Sequence, residues 1–259
     1  MCAFTMNEIF ARPQTVTDPA TCDWYHAMDL PELGTVGGAW DLRATIDDYL
    51  GRHDFRGKRC LDIGTSSGDL TFEMERRGAS EVVSVDLDPG THEWEVVPFA
   101  GRNNDGVIER MAEHMRARQR AWWMAHRLLG SRARVYYGNA YRLPEALGRF
   151  DVVLIGMMLP HVRDPFRVLE QAAARSSDTI IVTQQAPAEK LAYAFFMPDP
   201  VSGQPDNAWW SMSEACTERM LGVLGFDVVS RVRAEHACPA RGDREECTAM
   251  VAKRRVPLG

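Results

Sequence analysis

Hydrophobic runs alternate with amphipathic patterns through the middle of the chain. Five apolar runs bounded by turn residues predict strands at 59–64, 81–87, 133–138, 150–156 and 178–184. Their continuous β-branched character is typical of parallel strands that are buried on both faces. Helical patterns at 68–78, 107–129 and 165–175 fall between these strands. The alternation predicts a parallel sheet with right-handed crossovers.

The pattern changes at both ends of the chain. After a predicted helix at 213–224, two strands at 226–235 and 246–255 are too close in sequence for a helical crossover, so we expect an antiparallel hairpin at the sheet edge. A helix is predicted through 39–51, ended by Gly51. Residues 1–35 are expected to form an irregular arm. These elements together predict an α/β fold.

Two long segments interrupt the alternation, at 88–106 and 185–212. Both leave the carboxyl ends of predicted parallel strands, where open α/β sheets bind ligands. Segments longer than ordinary connections are often lids or substrate loops. We therefore expect an N-terminal arm or lid at 1–37 and a ligand-binding domain at 38–259, with substrate loops inserted at 88–106 and 185–212.

Composition narrows the function classes. The 259 residues carry a net charge of −6, so an extended surface for nucleic acid is not expected. There is no apolar run of about 20 residues and no secretory signal pattern, so we expect a cytoplasmic protein without a membrane partner. The six cysteines form no CxxC pair and no zinc spacing, so no metal site is expected.

The turn after the first predicted strand, in "LDIGTSSG", indicates a nucleotide-like ligand without a phosphate. It begins at Gly64, continues through Thr65 and ends at Gly68, without the middle glycine of the dinucleotide fingerprint. Asp62, just before the turn, would repel a pyrophosphate. An NAD-dependent oxidoreductase is therefore disfavoured, and a P-loop is excluded because no Gly-Lys-Ser/Thr follows.

A cationic nucleoside fits these residues better. S-adenosyl-L-methionine (SAM) carries an ammonium group and a sulfonium centre, and Asp62 can accept from the ammonium directly or through water. Asp86, at the end of the second strand, is placed to bind ribose hydroxyls. Leu87 is expected against the adenine, and Gly64 and Gly68 are expected to let the backbone pass close to the ligand.

With these motifs, the chain from about residue 38 onward resembles the class I SAM-dependent methyltransferases. The matching stretches are "LDIGTSSG", "VVSVDLD", "GNAYRLP", "FDVVLIGMMLPHVRDP" and the closing hairpin. The resemblance implies a Rossmann-like, seven-stranded, mostly parallel sheet of order 3-2-1-4-5-7-6 with helices on both faces. It further implies that Asn139 and Ala140 contact adenine, that Met157 lies near the cofactor, and that Arg43 in "AWDLR" reaches the SAM carboxylate.

Methyl transfer from SAM needs a general base only where the acceptor must lose a proton. His161, after the fourth strand, is the leading candidate, with a role in cofactor binding or helix capping as the alternative; His26 in the arm is the second. His114 and His126 lie in a helical pattern and are expected at the surface or in packing. Catechol-type methyltransferases place a metal-binding carboxylate near the end of the fourth strand, where this chain has Gly156-Met157-Met158, so we expect a metal-independent reaction.

The acceptor pocket is expected to be aromatic. Tyr25, Phe196, Trp209 and Trp210 are its predicted walls, with packing as an alternative for the tryptophans, and Gln184 is expected to orient a polar acceptor group. Trp122 belongs to a helical stripe and is expected in the core.

These features predict a methyltransferase for a small molecule, within natural-product biosynthesis, and leave a homo-oligomer open. Two alternatives remain. "FDVVLIGMMLPHVRDP" also resembles transfer-RNA wobble-uridine carboxymethyltransferases, and a non-catalytic SAM-binding protein would keep the same fold.

Overall fold

The computed structural model describes residues 9–91 and 95–256. Seven strands form one sheet: β1 Arg59–Ile63, β2 Glu81–Asp86, β3 Arg134–Tyr137, β4 Phe150–Gly156, β5 Ser176–Gln184, β6 Phe226–Cys238 and β7 Asp243–Arg254. Their order is 3-2-1-4-5-7-6, which confirms the order that the resemblance implies. Strands β1 to β5 pair in parallel, whereas β7 is antiparallel to both β5 and β6.

Four helices cover the two faces of this sheet: α1 Asp69–Arg76, α2 Asn104–Leu129, α3 Pro165–Arg175 and α4 Glu214–Val223. Strand residues alternate between two apolar cores. Cys60 and Leu154 pack into the core that includes Trp122 of α2, whereas Leu61 and Val153 pack into the core that includes Leu169 of α3. Burial on both faces explains why these strands read as continuous apolar runs.

Two local predictions were wrong in extent. The helix predicted through 39–51 is a single turn at Ile46–Tyr49, because Trp40 and Asp41 instead make isolated β-bridges to His26 and Ala237. The arm is not wholly irregular, since Met28–Leu30 pairs with Gly34–Val36 in a short hairpin. Residues 1–8 of the arm, 92–94 of the first long segment and 257–259 at the C-terminus lie outside the described residues.

The second long segment contains its own hairpin, Ala194–Phe196 paired with Trp210–Met212. We call residues 185–212 the flap. The N-terminal arm lies along the sheet: the N–H of Ala11 donates to the Val135 carbonyl at 2.9 Å, and Arg134 stacks on Phe10 at 4.1 Å. In the described parts of the chain, no helix combines the length and the apolar character needed to cross a membrane.

Candidate active site

A cavity of about 500 Å³ opens at the carboxyl ends of β1, β2, β3 and β4, where an open parallel sheet places its ligand site. The residues that line it include Tyr25, Gly64, Ser66, Asp86, Leu87, Glu95, Arg110, Met111, His114, Met115, Arg118, Asn139, Ala140, Tyr141, Met157, Met158, His161, Val162 and Asn207. Cavities of this size hold small molecules. Seven of the predicted cofactor or substrate residues, together with His161, lie in this lining.

Asp86 holds the glycine turn against the end of β2. Its Oδ2 accepts a hydrogen bond from the Ser66 N–H at 2.6 Å, and its Oδ1 accepts from the Leu87 N–H at 2.7 Å. Burial raises the pKa of the Asp86 carboxyl, and the two backbone donors act in the opposite direction. The carboxylate is thereby fixed in orientation at the cavity wall, where its remaining lone pairs can accept from ligand hydroxyls.

The turn begins with a backbone conformation that suits glycine. Gly64 has φ +87°, and a methyl group in place of its hydrogen would come within 2.9 Å of the Met158 side chain. Across the cavity floor, Met157 also adopts a left-handed φ of +52°, held by a hydrogen bond from its N–H to the Thr183 carbonyl at 2.7 Å. Such strain in a non-glycine residue costs roughly 1–3 kcal/mol and is commonly found at functional sites.

Asp62 lies beneath the turn rather than in the cavity lining. It is fully buried, and its Oδ2 accepts from Thr71, whose hydroxyl also contacts Thr65 at 2.9 Å and Ser84 at 2.7 Å. Burial raises the pKa of Asp62 to about 6. Its Oδ1 is buried without a hydrogen-bond partner among the described residues. A cationic ligand above the turn would compensate this buried acid.

Two predicted turn residues have structural roles. Thr65 is buried and takes part in the hydrogen-bond network of Asp62. Gly68, at φ +94°, caps the start of α1, and a methyl group there would come within 2.5 Å of Phe72 and 2.6 Å of Trp122. Neither residue lines the cavity. The glycine at 68 is required by helix packing rather than by the close passage of a ligand.

His161 ends the 3-10 turn Leu159–His161 after β4 and faces the cavity. Its Nδ1 lies 2.6 Å from the carbonyl oxygen of Asn207, a contact in which Nδ1–H donates. The neutral ring then leaves Nε2 free to accept a proton. Burial lowers the pKa of His161, although the hydrogen bond to Asn207 opposes this shift. The ring is therefore neutral at pH 7.

His26 is not in this cavity. The residue is only 5% exposed and packs edge-on against the Tyr25 ring at 4.8 Å. Burial lowers its pKa to about 3, and its Nδ1 has no hydrogen-bond partner in the described parts of the chain. Gly38 presses on its backbone, where a Cβ would come within 2.3 Å. His26 is a core residue, and its prediction as a second base is corrected.

Arg43 and Gln184 are also placed elsewhere. Arg43 pairs with Asp29 and Asp41, each at 2.7 Å, in a separate cleft on the outer side of α1. Gln184 is buried in β5 and donates to the Thr217 hydroxyl at 2.9 Å. Arg43 therefore does not face the cofactor cavity, and Gln184 joins the sheet to α4 rather than facing an acceptor.

Of the four predicted aromatic walls, Tyr25 lines the cavity, whereas Phe196, Trp209 and Trp210 fasten the flap and lie outside the lining. Trp209 is 8% exposed, and its Nε1 donates to the Glu95 carbonyl at 2.9 Å. The Nε1 of Trp210 donates to the Arg163 carbonyl at 3.0 Å. Phe196 packs against Trp210 with ring centroids 5.4 Å apart and remains half exposed. Through these contacts the flap presents Asn207 to His161.

The sequence did not predict that one face of α2 lines the cavity, and we call this face the roof. Residues Arg110, Met111, His114, Met115 and Arg118 of α2 line the cavity. Their spacing of three or four residues puts them on one face of the helix, beside the stripe that buries Trp122. His114 was expected at the surface or in packing and is instead half exposed at the cavity. The length of this helix was the available signal, since it exceeds what an ordinary crossover requires.

Glu95 and Tyr141 form a second missed group at the rim. The Tyr141 hydroxyl donates to Glu95 at 2.5 Å, and the backbone N–H of Arg163 donates to the same carboxylate oxygen at 2.7 Å. The group joins the first long segment to the turn that carries His161. Within residues 9–91 and 95–256, no cluster of three His, Cys, Asp or Glu side chains is placed to hold a metal ion.

Comparison with known proteins agrees with this architecture. Residues 40–229 match the family model described as "Methyltransferase domain". The chain is 31% identical over 134 residues to a ubiquinone biosynthesis O-methyltransferase of Neisseria meningitidis serogroup C, covering 51% of this chain and 46% of that protein. It is 41% identical over 56 residues to the ribosomal protein L11 methyltransferase of Deinococcus radiodurans, covering 22% of this chain and 19% of that protein. The matches thus span less than half of either relative.

A solved structure shows the same fold. Magnesium protoporphyrin IX methyltransferase from Synechocystis PCC 6803, with bound SAH, superposes with a TM-score of 0.51 at 16% identity, covering 82% of this chain and 81% of that one. The family model covers most of the sheet and the cavity residues that follow its strands. The chain belongs to the methyltransferase-domain family, whose methyl donor is S-adenosyl-L-methionine.

Proposed function

We propose that this chain transfers a methyl group from SAM to a small-molecule acceptor, without a metal and within secondary metabolism. The observation that carries the proposal is the meeting, in one cavity, of the Asp86 carboxylate with a neutral His161 whose Nε2 is free. The first group suits a nucleoside and the second suits proton removal from an acceptor. Both lie at the sheet edge where this family binds its cofactor.

The residues present fit SAM. Asp86 would accept from the ribose hydroxyls, with Leu87, Asn139 and Ala140 around the adenine and the Gly64 turn beneath the methionine part. The Oδ1 of Asp62, for which the described residues supply no hydrogen-bond partner, supports a cationic ligand above it. Arg118 lines the same cavity, stacks on Tyr25 at 4.5 Å and donates from Nε to Asp23 at 3.1 Å, and its terminal N–H groups would take the carboxylate-binding role first expected of Arg43. When bound, SAM supplies an electrophilic methyl group on its sulfonium centre.

His161 acts as the general base for an acceptor hydroxyl or amine. Its Nε2 would take the proton from the acceptor hydroxyl or amine, while the Asn207 carbonyl holds Nδ1–H and fixes the ring. Because burial disfavours the imidazolium, the base is available at neutral pH. Met157, Met158 and Val162 keep this part of the cavity apolar and limit the access of water.

A small acceptor is favoured by the size of the cavity and by charge. The cavity volume of about 500 Å³ suits a small molecule. A transfer-RNA acceptor would need a positive surface beside the site, yet Arg116 and Arg120 of α2 are both paired with Glu113 and the chain carries a net charge of −6. The printed role of the Neisseria relative, O-methylation in ubiquinone biosynthesis, is in line with a small acceptor.

Calorimetric titration of the purified protein with SAM and with its demethylated product, S-adenosylhomocysteine, tests the cofactor assignment, with NAD as the control ligand. We expect Asp86→Ala to weaken product binding about 10- to 100-fold, since hydrogen bonds to a charged group contribute about 1.5–3 kcal/mol. Asp86→Asn, which keeps one acceptor oxygen, should lose less. Unchanged binding in a folded Asp86→Ala variant, or binding of NAD alone, would contradict the proposal.

A further inference from the structure

We propose that the acceptor carries an anionic group, such as a carboxylate, on an apolar body, and that Arg110 recognises this group. The inference rests on the proposed function, because it assigns the acceptor part of the same cavity. It is drawn from the charges that line the cavity and from how each of them is already paired.

Arg110 is the cavity arginine for which the described residues supply no ion-pair or hydrogen-bond partner. It lies near the start of α2, is exposed, and lines the cavity. In the described parts of the chain it makes no ion pair or hydrogen bond. Its neighbours on the helix differ: Arg116 pairs with Glu113 at 2.9 Å, and Arg118 donates to Asp23 at 3.1 Å.

The acids of the cavity do not neutralise Arg110. Asp86 accepts from the backbone N–H groups of Ser66 and Leu87. Glu95 accepts from the Tyr141 hydroxyl and from the Arg163 N–H, and its other oxygen lies 3.8 Å from the Arg163 guanidinium. Each carboxylate is therefore engaged with other donors, and the guanidinium of Arg110 is left to meet an anion supplied by a ligand.

SAM has a carboxylate of its own, and position along α2 separates the two anions. Arg118 lies beside Tyr25, whose N–H donates to Ser67 in the glycine turn at 3.1 Å, so Arg118 is at the cofactor end. Arg110 is eight residues away, about 12 Å along the helix axis. An anion at Arg110 therefore belongs to a second molecule, the acceptor.

The space between the two arginines defines the body of that acceptor. Met111 and Met115 project from the same face of α2 into the cavity, and Met158 and Val162 line it after β4. Methionine side chains adapt to flat or irregular apolar surfaces. An apolar, ring-like acceptor with one acidic substituent would thus place its acid at Arg110 and its body against the methionines, near His161.

Two dyes of the same ring system test the inference without knowledge of the acceptor. 8-Anilinonaphthalene-1-sulfonate and N-phenyl-1-naphthylamine differ only in the sulfonate, and both fluoresce in apolar cavities. They would be titrated into the protein saturated with S-adenosylhomocysteine. We expect the wild-type protein to bind the sulfonate at least about 10-fold more tightly, which is what one charge-assisted pair supplies.

Arg110→Gln should bring the two dyes to within about threefold of each other, and Arg110→Lys should keep part of the preference. Arg116→Gln is the matched control: it removes an arginine of the same helix that does not line the cavity, and it should leave the preference unchanged. Equal binding of the dyes by wild type, no binding of either, or a preference that survives Arg110→Gln would overturn the inference.

Failure of the inference can be told apart from failure of the proposed function. Calorimetry with S-adenosylhomocysteine on the same preparations reports the cofactor site, and its loss would contradict the proposed function. Intact cofactor binding without a sulfonate preference would contradict the acceptor assignment alone. Because Arg110 is exposed and unpaired, its substitution should change the free energy of unfolding by less than about 0.5 kcal/mol.

Discussion

His26, which is buried, and His161, which is partly buried, were both predicted as candidate bases, yet their surroundings differ in what they leave free for a ligand. His161 lines the cavity and donates from Nδ1 to the Asn207 carbonyl, which leaves Nε2 for a ligand. His26 packs behind Tyr25 with its Nδ1 unsatisfied among the described residues. Burial lowers the pKa of both rings. A buried, neutral histidine is therefore a base only where one nitrogen is oriented and the other reaches the cavity.

The largest expected effect is a loss of catalytic rate when His161 is replaced. Replacing His161 by Ala removes the base, and we expect kcat to fall about 10²- to 10⁴-fold with an acceptor found by labelled-methyl incorporation. S-adenosylhomocysteine affinity should stay within about threefold of wild type, as calorimetry would show. His26→Gln is the paired variant and should retain kcat within about threefold. A fully active His161→Ala enzyme would mean that the acceptor needs no base.

The next largest effect is on the stability of the fold at acidic pH, and it comes from His26. The unfolded imidazole has a pKa near 6.5, whereas the folded pKa is about 3, so below pH 6.5 the unfolded state binds more protons. The contribution of neutral His26 to the free energy of unfolding is fully present above pH 6.5. It is lost as the pH falls below 6.5, by about 1.4 kcal/mol per pH unit.

Urea unfolding at pH 7, 6, 5 and 4 measures this dependence. His26→Leu should flatten the slope by about 1.4 kcal/mol per pH unit between pH 6 and 4, whatever its effect on stability at pH 7. If His26→Leu leaves the pH dependence of the unfolding free energy unaltered, His26 is protonated as readily in the folded protein as in the unfolded chain, which would contradict the prediction.

The smallest effect sharpens the comparison with a third histidine. His114 is half exposed at the cavity, its Nδ1 lies 3.2 Å from Asp23, and burial and Arg118 lower its pKa despite that acid. We expect His114→Gln to change the free energy of unfolding at pH 7 by less than about 1 kcal/mol, since exposed pairs contribute little. Thermal unfolding of His114→Gln and His26→Leu, measured side by side, would test this. A larger loss of stability in His114→Gln than in His26→Leu would contradict the placement of His114 as the more exposed of the two.

The sequence predicted the parallel strands and the helices that separate them because burial on both faces leaves a continuous apolar pattern, whereas the order of the strands was implied by the resemblance to the class I methyltransferases. It also placed Gly64 and Asp86 at the cavity, since a parallel sheet fixes where strand ends meet, and the resemblance added Asn139. The helix at 39–51 failed because Trp40 and Asp41 found β-bridge partners far away in the chain. Tertiary pairing of this kind overrides local helical pattern.

Residues placed by long segments could not be derived in the same way. Trp209 and Trp210 lie at the end of the long segment after β5. Their indole N–H groups donate to the carbonyls of Glu95 and Arg163, so the two rings fasten the flap. Arg43 was assigned from a short N-terminal resemblance, and its pairing with Asp29 depends on a hairpin that periodicity did not reveal. Such positions are decided by partners distant in sequence.

Helix α2 contributes to both the apolar core and the roof of the cavity. Its carboxyl half holds Trp122 and Trp123 in the interior, whereas its amino half carries Arg110, Met111 and His114 over the cavity. Substitutions in the amino half can thus exchange the charge or shape of the roof while the interior keeps the helix in place. Under the proposed acceptor assignment, acceptor preference is open to retuning, by natural drift or by engineering, through a few exposed positions of this helix.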